Sequence, residues 1–366
     1  MQEIRGLATC IADALDFLDY QFAGQRVWVK PNLLGPHPPE RAVTTDPELV
    51  RLVVGELKKR GARSILVGDN PGGSLHGDLA SFIAPTGVIE ASAGCFANVG
   101  RESFELPLRS RFVSSIRASG VLREVDVLIN LPVFKTHALT VLTGAIKNIF
   151  GVVVGGQKTA LHALAPGCDD FSELLVDIYQ GIPVPMLHIM DAIRGMDGRL
   201  GPSAGRALRI NRILAARNGV ALDAVMALMA GIEPDQFPMV RIARERGLGP
   251  SDASCIEIIG DFSRIAGFRL PRRVPKAAAG LTRAVYRLLV RQPSVNSARC
   301  TRCGQCQRSC PVRAIRLKPL PVVDARKCLL CYCCVETCPE QAMRIPSQFE
   351  NLLPRFLSAV QGRFRA

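Results

Sequence analysis

The chain has 366 residues, of which 48% are hydrophobic and 21% charged, so it can build one large or two modest domains. No apolar run reaches the length of a bilayer span, and residues 1–20 carry Glu3, Asp13 and Asp16, which indicates an amphipathic helix rather than a secretion signal. The net charge of +14 would suit several polyanionic partners, but no DNA-reading helix or base-stacking module accompanies it. We therefore expect a cytoplasmic protein that has no transmembrane segment and binds no nucleic acid.

Strand-like and helical patterns alternate along the first two thirds of the chain. RVWVK at 26–30 predicts a strand, 46–61 predicts a helix with Pro47 in its first turn, and SILVGD at 64–69 predicts the next strand. Further strands are expected at 125–131, 186–192, 208–216 and 255–261, and further helices at 138–150, 222–230 and 237–246. This order predicts an α/β fold, with a mostly parallel sheet covered by helices.

Polar residues follow three of the predicted strands. They are Lys30 with Asn32, Asp69 in a Gly-rich loop, and Lys135 with His137 in a loop at 132–137. In a parallel sheet the strands end at one edge, so we expect the three loops to meet there.

Lysines in this arrangement indicate an anionic ligand, because the ammonium group binds carboxylate or phosphate as a point charge. Lys147, in a predicted helix, and Lys158, after a glycine pair, extend the set. Any one of these lysines taken alone is more often a surface residue whose stem covers apolar neighbours. Together the three loops favour a polar pocket.

The cysteines give the most specific pattern. Nine of the 13 follow residue 299, and eight of them form two runs of C-x2-C-x2-C-x3-C-P, the spacing of bacterial two-cluster ferredoxins. In that arrangement the fourth cysteine of each run ligates the other cluster. We therefore predict two [4Fe-4S] clusters, one held by Cys300, Cys303, Cys306 and Cys338 and the other by Cys328, Cys331, Cys334 and Cys310.

Two zinc sites are the alternative, since C-x2-C pairs also suit tetrahedral zinc. Zinc would not predict two equal quartets that each end in Cys-Pro, so the clusters are favoured. Cys333 lies between two ligands and is interpreted as a bystander thiol near the second cluster, with an alternative ligand or a redox-labile site as the other interpretations. The remaining cysteines are interpreted as core residues: Cys10, Cys95, Cys168 and Cys255.

The predicted organisation has four parts. These are an α/β domain at 1–262, a basic linker or helix at 263–297, a two-cluster ferredoxin-like domain at 298–345 and a C-terminal amphipathic helix at 346–366. The linker carries eight Lys or Arg residues and no acid, which indicates either a solvated face or a docking surface. Its helical pattern and that of the tail suit packing against the protein or peripheral contact with a membrane.

Four sequence blocks in the first domain resemble a known family. VWVKPNLL, TTDPELVR, VLINLPVFKTHALTVLTGAIKNIFGVVVGGQK and IMDAIRGMDGRLGP occur in the order found in the bacterial and archaeal family DUF362, many of whose members carry a two-cluster ferredoxin module. The resemblance covers most of residues 25–262. Carried over position by position, it implies these polar site residues: Lys30, Asn32, Asp69, Lys135, His137, Lys147, Asn148, Lys158, His162, Asp191 and Asp223.

From these features we predict an iron-sulfur oxidoreductase. It would be a reductase that passes single electrons through the clusters to an anionic small molecule or cofactor precursor. The residues expected to hold the anion are Lys30, Lys135 and Lys147. His137 is expected to donate the proton, because histidine titrates near neutral pH, and Asp69 and Asp191 to orient that donor or bind a cation.

Two other functions fit the same residues. In one, the chain is an electron-transfer subunit whose basic linker docks an acidic redox partner. In the other, it is a maturation factor that hands on a metal or cofactor. For the reductase, the expected electron donor is an acidic protein such as a ferredoxin or flavodoxin.

Overall fold

The structure is a computed structural model that describes residues 2–71, 79–165, 167–199, 201–250, 253–271, 292–328 and 332–344. The helical pattern of the basic linker, the C-terminal helix at 346–366 and the expected ligand Cys331 lie outside the described residues. In the described residues, no helix is long and apolar enough to span a membrane.

The strands of the described residues are β1 (Arg26–Pro31), β2 (Ser64–Val67), β3 (Ser103–Pro107), β4 (Ser115–Ser119), β5 (Val127–Leu131), β6 (Val133–His137), β7 (Val141–Leu142), β8 (Met186–Asp197), β9 (Arg206–Ala216), β10 (Ser294–Val295), β11 (Ile315–Lys318), β12 (Leu320–Val323) and β13 (Met343–Arg344). Their α-helices are α1 (Gln2–Phe17), α2 (Pro47–Lys59), α3 (Leu79–Ile83), α4 (Val88–Ala91), α5 (Gly144–Asn148), α6 (Gln157–Leu164), α7 (Cys168–Gln180), α8 (Gly219–Met229), α9 (Pro238–Glu245), α10 (Gln305–Arg308) and α11 (Cys333–Glu336).

The central sheet is mostly parallel, which confirms the predicted fold class. β1 pairs in parallel with β2 and with β5, and β5 pairs in parallel with the start of β8. β6 follows β5 after Pro132 alone and pairs further along β8, again in parallel. β9 pairs with β8 as an antiparallel strand. The carboxyl ends of β1, β2 and β5 therefore lie at one edge of the sheet.

The alternation of side chains in β1 divides the core between the two faces of the sheet. Val27 and Val29 belong to an apolar cluster formed with residues of α1 and α2. Trp28 belongs to a second cluster, formed with residues of α5, α7 and α8. Because side chains of a strand alternate with period two, Lys30 follows Trp28 on the face covered by these helices. It is fully buried there, at the end of the strand where the three polar segments meet.

Two segments differ from the prediction made from the sequence. The loop expected at 132–137 is wrong, because Lys135 and His137 lie on strand β6, whose five residues are all buried and so show no alternation. The strand expected at 255–261 is also wrong: the segment has no strand partner in the described residues, and Ile259 is 71% exposed there.

The helix expected at 138–150 is shorter than predicted. The chain first forms β7, which turns back onto the end of β6. α5 begins only at Gly144, where a positive φ of +69° favours glycine.

A small ferredoxin-like region follows at the C-terminal end of the described chain. β10 pairs with β13 and β11 with β12, both antiparallel, and the short helices α10 and α11 contact each other. Its core consists mainly of aliphatic side chains and cysteines: Cys306, Ile315, Cys334, Val335, Cys338, Ala342 and Met343.

Candidate functional site

A cleft of about 90 Å³ lies where β1, β2 and β6 meet the ferredoxin-like region. Eight of the eleven polar site residues implied by the sequence line it: Asn32, Asp69, Lys135, His137, Lys147, Asn148, Lys158 and His162. The structure thus brings together side chains that lie more than a hundred residues apart in the chain.

The floor of the cleft contains a buried ion pair. Lys30 Nζ lies 2.8 Å from Asp69 Oδ1, and the two side chains are 0% and 6% exposed. The second carboxylate oxygen, Oδ2, accepts a hydrogen bond of 2.9 Å from the backbone N–H of Leu33. Burial lowers the pKa of Lys30, and the Asp69 carboxylate opposes this change. Lys30 itself does not line the cleft.

An amide network holds Lys135 at the next position. Its ammonium donates to Asn32 Oδ1 at 2.8 Å and to the carbonyl of Val43. Asn32 Nδ2 donates to Asn148 Oδ1 at 2.9 Å, and Asn148 Nδ2 donates to Asn130 Oδ1 at 2.7 Å. Each amide therefore has its orientation fixed by a neighbour, and the position of the lysine is fixed with them.

The position of His137 is set by the turn that follows β6. The backbone N–H groups of Leu139 and Thr140 donate to its Nδ1 at 3.1 and 3.2 Å. A nitrogen that accepts two N–H groups carries no proton, so the ring is neutral and its proton lies on Nε2. A charged imidazolium would place a third N–H against these two donors. The ring is thus suited to donate a hydrogen bond rather than to serve as a strong acid.

Lys147 and Lys158 lie on the aromatic side of the cleft. Lys147 Nζ lies 5.4 Å from the ring centre of Phe171 and 5.8 Å from that of Phe150, within the range of cation–π contact. Lys158, in the first turn of α6, donates to the backbone carbonyl of Asn70. Burial, together with the charges of Lys30 and Lys147, lowers the pKa of Lys158 to about 7 against the opposing effect of Asp69.

His162 supports this side of the cleft. It lies one turn beyond Lys158 on α6, and its Nδ1 is 2.8 Å from the carbonyl of that lysine, to which it donates. Its ring packs against Phe171 with the two centres 4.2 Å apart.

The opposite wall comes from the ferredoxin-like region, which contributes Ser309, Cys333 and Thr337. The hydroxyl groups of Ser309 and Thr337 are 2.9 Å apart and hydrogen-bonded. Nearby, the Ser203 hydroxyl donates to the carbonyl of Val335 at 3.2 Å, which joins the two parts of the chain beside the cleft. Pro202 also lines the cleft.

Like Lys30, the last two of the eleven polar residues, Asp191 and Asp223, lie outside the cleft. Asp191 accepts hydrogen bonds from the backbone N–H groups of Asp46 and Ile193. Asp223 accepts from the N–H groups of Ala145 and Ile146 and so caps the first turn of α5. Burial raises the pKa of both carboxyl groups to about 7. Their contacts are those of residues that position the backbone, and Asp223 supports the helix that carries Lys147.

Several lining residues were not identified from the sequence. Asn70 and Thr159 directly follow a residue that was, and Phe150 and Gly151 lie in the same sequence block as Asn148. Gly151 leaves room for the buried ion pair, since a Cβ at that position would meet Asp69 Oδ1 and Lys30 Nζ. No sequence feature identified the lining residues of the ferredoxin-like region, because the sequence does not indicate how that region is placed against the sheet.

The cysteines of the C-terminal region surround two small cavities. The first is lined by Cys300, Cys303, Cys306 and Cys338, and the second by Cys310, Cys328, Cys333 and Cys334. The fourth cysteine of each run thus lines the same cavity as cysteines of the other run.

The donor set of these cavities fits an iron-sulfur cluster. Cys310 and Cys338 Sγ each accept a backbone N–H four residues later, at 3.1 and 3.2 Å, a contact that stabilises thiolate ligands. In the part of the chain that is described, no three Cys, His, Asp or Glu side chains converge closely enough for a single metal ion. An all-cysteine donor set at this spacing is the one that [4Fe-4S] clusters use.

Comparison with known proteins yields two family matches. The family model described as "Domain of unknown function (DUF362)" matches residues 27–228, and the model described as "4Fe-4S dicluster domain" matches residues 299–342. The "Thylakoid-associated protein sll1697" of Synechocystis sp. is 31% identical over 241 residues, which are 63% of this chain and 70% of that protein. A solved structure from Thermotoga maritima matches with a TM-score of 0.40 and 11% identity, over 59% of this chain and 56% of that one.

Proposed function

The chain belongs to the DUF362 family and carries a 4Fe-4S ferredoxin-type domain, and on this premise we propose that it is a reductase of an anionic small molecule. The observation that carries the proposal is the composition of the cleft, which joins a lysine-rich wall to a wall formed by the ferredoxin-like region. Such a domain indicates iron-sulfur electron transfer. A ligand in the cleft would therefore lie between the anion-binding residues and the redox module.

The proposed cofactors are two [4Fe-4S] clusters, one for each cysteine-lined cavity. The first would be held by Cys300, Cys303, Cys306 and Cys338, and the second by Cys310, Cys328, Cys331 and Cys334. When bound, such clusters supply electrons one at a time. The proposed electron donor is an acidic ferredoxin or flavodoxin.

Charge supports an anion as the ligand. Among the described residues that line the cleft, Lys135, Lys147 and Lys158 are cationic and Asp69 is acidic, and Asp69 already pairs with Lys30. Lys135 is held in place by the amide network, so it can meet a carboxylate or phosphate without first being ordered. The ligand would bind mainly through this fixed positive charge.

Protons for the reduction would come from Lys158 rather than from His137. The pKa of Lys158, about 7, is well matched to proton donation near neutral pH. His137 is neutral with its proton on Nε2, so it would polarise the substrate by donating a hydrogen bond. This changes the role that the sequence suggested for the histidine.

The proposal is tested by following reoxidation of the reduced protein by electron paramagnetic resonance (EPR). The anaerobically reduced protein is mixed with the small-molecule fraction or the macromolecular fraction of its own cell extract. We expect reoxidation by the small-molecule fraction, its loss in Lys135→Ala, and no change in Lys59→Ala, whose lysine is 74% exposed on α2. Reoxidation by the macromolecular fraction alone, falling steeply with salt, would instead support an electron-transfer subunit.

A further inference from the structure

One side chain connects the cleft with a cysteine-lined cavity. Among the described residues, Cys333 is the one that lines both the cleft and the second cavity, whose other cysteines are Cys310, Cys328 and Cys334. No described residue lines both the cleft and the first cavity. The two cavities therefore do not have the same position relative to the cleft.

The duplicated cysteine runs make this difference easier to interpret. Cys333 directly precedes the third cysteine of its run, and Gln305 occupies the same place in the first run. Gln305 lines the first cavity but not the cleft. Two equivalent positions thus have different surroundings, because only one of them faces the α/β region.

We propose that the cluster of the second quartet is the one that exchanges electrons with a molecule bound in the cleft, and that the Cys333 side chain lies between that cluster and the cleft. The inference rests on the proposed function and adds the direction of electron transfer to it. An electron from the donor protein would enter at the first cluster, pass to the second and leave across Cys333. Each transfer oxidises the second cluster by one electron and reduces the bound anion by one, and a two-electron reduction requires two transfers with two protons.

The packing of Cys333 supports this role. Its side chain is 8% exposed and belongs to the helix that begins directly after Tyr332. The hydroxyl of Thr337, one turn later on the cleft side, bonds to the carbonyl of Cys333 at 2.8 Å. The position of the thiol is therefore set by the backbone of α11.

Electrostatics provides a test that needs no substrate. A negative charge near a cluster disfavours its reduction, and the effect falls with distance. We expect Lys147→Glu, which reverses a charge in the cleft, to lower the midpoint potential of the second cluster more than that of the first. Thr159→Asp, at another lining position, should do the same if the first variant folds poorly. Lys59→Glu, on the exposed face of α2, is the control and should change neither potential.

The two clusters are distinguished by Cys303→Ser and Cys328→Ser, which each alter the EPR signal of one quartet. A larger shift of the first cluster in Lys147→Glu and Thr159→Asp, or equal shifts of both, would overturn the inference. Cys333→Ala should change the potential or line shape of the second cluster, and Gln305→Ala should affect only the first. Because these readouts do not depend on turnover, they remain decisive even if no anion is reduced and the proposed function fails.

Discussion

The buried ion pair between Lys30 and Asp69 predicts a large and pH-dependent loss of stability in Asp69→Asn. The charged atoms lie 2.8 Å apart, and Lys30 has no exposed surface. At an effective dielectric constant of about 20, unit charges at this distance attract by about 6 kcal/mol. The amide of the variant has the shape of the carboxylate, but with its oxygen kept for the N–H of Leu33 its NH2 group faces Lys30, so the negative charge and one acceptor are both lost.

The lysine can limit this loss by releasing its proton. An unfolded lysine has a pKa of about 10.4, so deprotonation at pH 7 costs about 4.6 kcal/mol. We therefore expect the free energy of unfolding to fall by about 3–5 kcal/mol at pH 7. In the folded variant, burial lowers the pKa of Lys30 and no carboxylate opposes this change. Above pH 7 the unfolded variant therefore binds more protons than the folded variant. The deficit should then shrink by up to about 1.4 kcal/mol per pH unit as the pH rises.

The chain contains its own probe for this measurement. Trp28 is its single tryptophan and lies on β1 two residues before Lys30, where its Nε1 donates to the carbonyl of Gly68 at 2.9 Å. Urea unfolding followed by its fluorescence at several pH values gives the required free energies. Glu48→Gln, which removes the partner of the 51% exposed Arg51, is the control and should cost about 1 kcal/mol or less. A loss below about 1 kcal/mol in Asp69→Asn, or one independent of pH, would refute the reasoning.

Three further predictions concern the cleft and the cysteines. Because the pKa of Lys158 is about 7, sulfate, an anionic probe whose own charge does not change in this range, should bind more tightly at about pH 6 than at about pH 8.5 in calorimetric titrations, and Lys158→Met should abolish the difference. Gly151→Ala should lower the free energy of unfolding by about 1–3 kcal/mol, because the added Cβ meets the ion pair. Gly156→Ala, whose added Cβ would have nothing within 4 Å, should change it by less than about 0.5 kcal/mol. Cys338→Ser should alter the same EPR signal as Cys303→Ser, since both residues line the first cavity; a change in the other signal would exclude crossed ligation.

The parallel sheet could be predicted because each of its main strands is a short apolar run between helical patterns. The hydrophobic pattern gave wrong predictions where the chain is buried on all sides or where it is exposed. In β6 every residue is buried, so Lys135 and His137 appear as polar residues that interrupt an apolar segment. At 255–261 the alternation of apolar residues resembles a strand, but alternation cannot indicate whether a neighbouring strand is present.

The cleft could be predicted in part for a geometric reason. Parallel strands bring their carboxyl ends to one edge, so residues that follow β1, β2 and β5 had to meet. Asp191 and Asp223, which only the family resemblance added to the set, turn their side chains to backbone N–H groups away from the cleft. The placement of the ferredoxin-like region depends on contacts such as Ser203 with Val335, which no local pattern reveals.

The proposed anionic ligand would give a common reason for the lysines that lie in an apolar segment. A structural lysine in a core is expected to pair with a carboxylate, and Lys30 does so with Asp69. Lys135 donates to Asn32 Oδ1 and to the carbonyl of Val43, and Lys158 donates to the carbonyl of Asn70, all of them neutral oxygens. Burial, with a further contribution from the charges of Lys30 and Lys147, lowers the pKa of Lys158 to about 7. A bound anion would offset both the lost solvation of Lys158 and the repulsion between the lysines, which is the physical reason to propose one here.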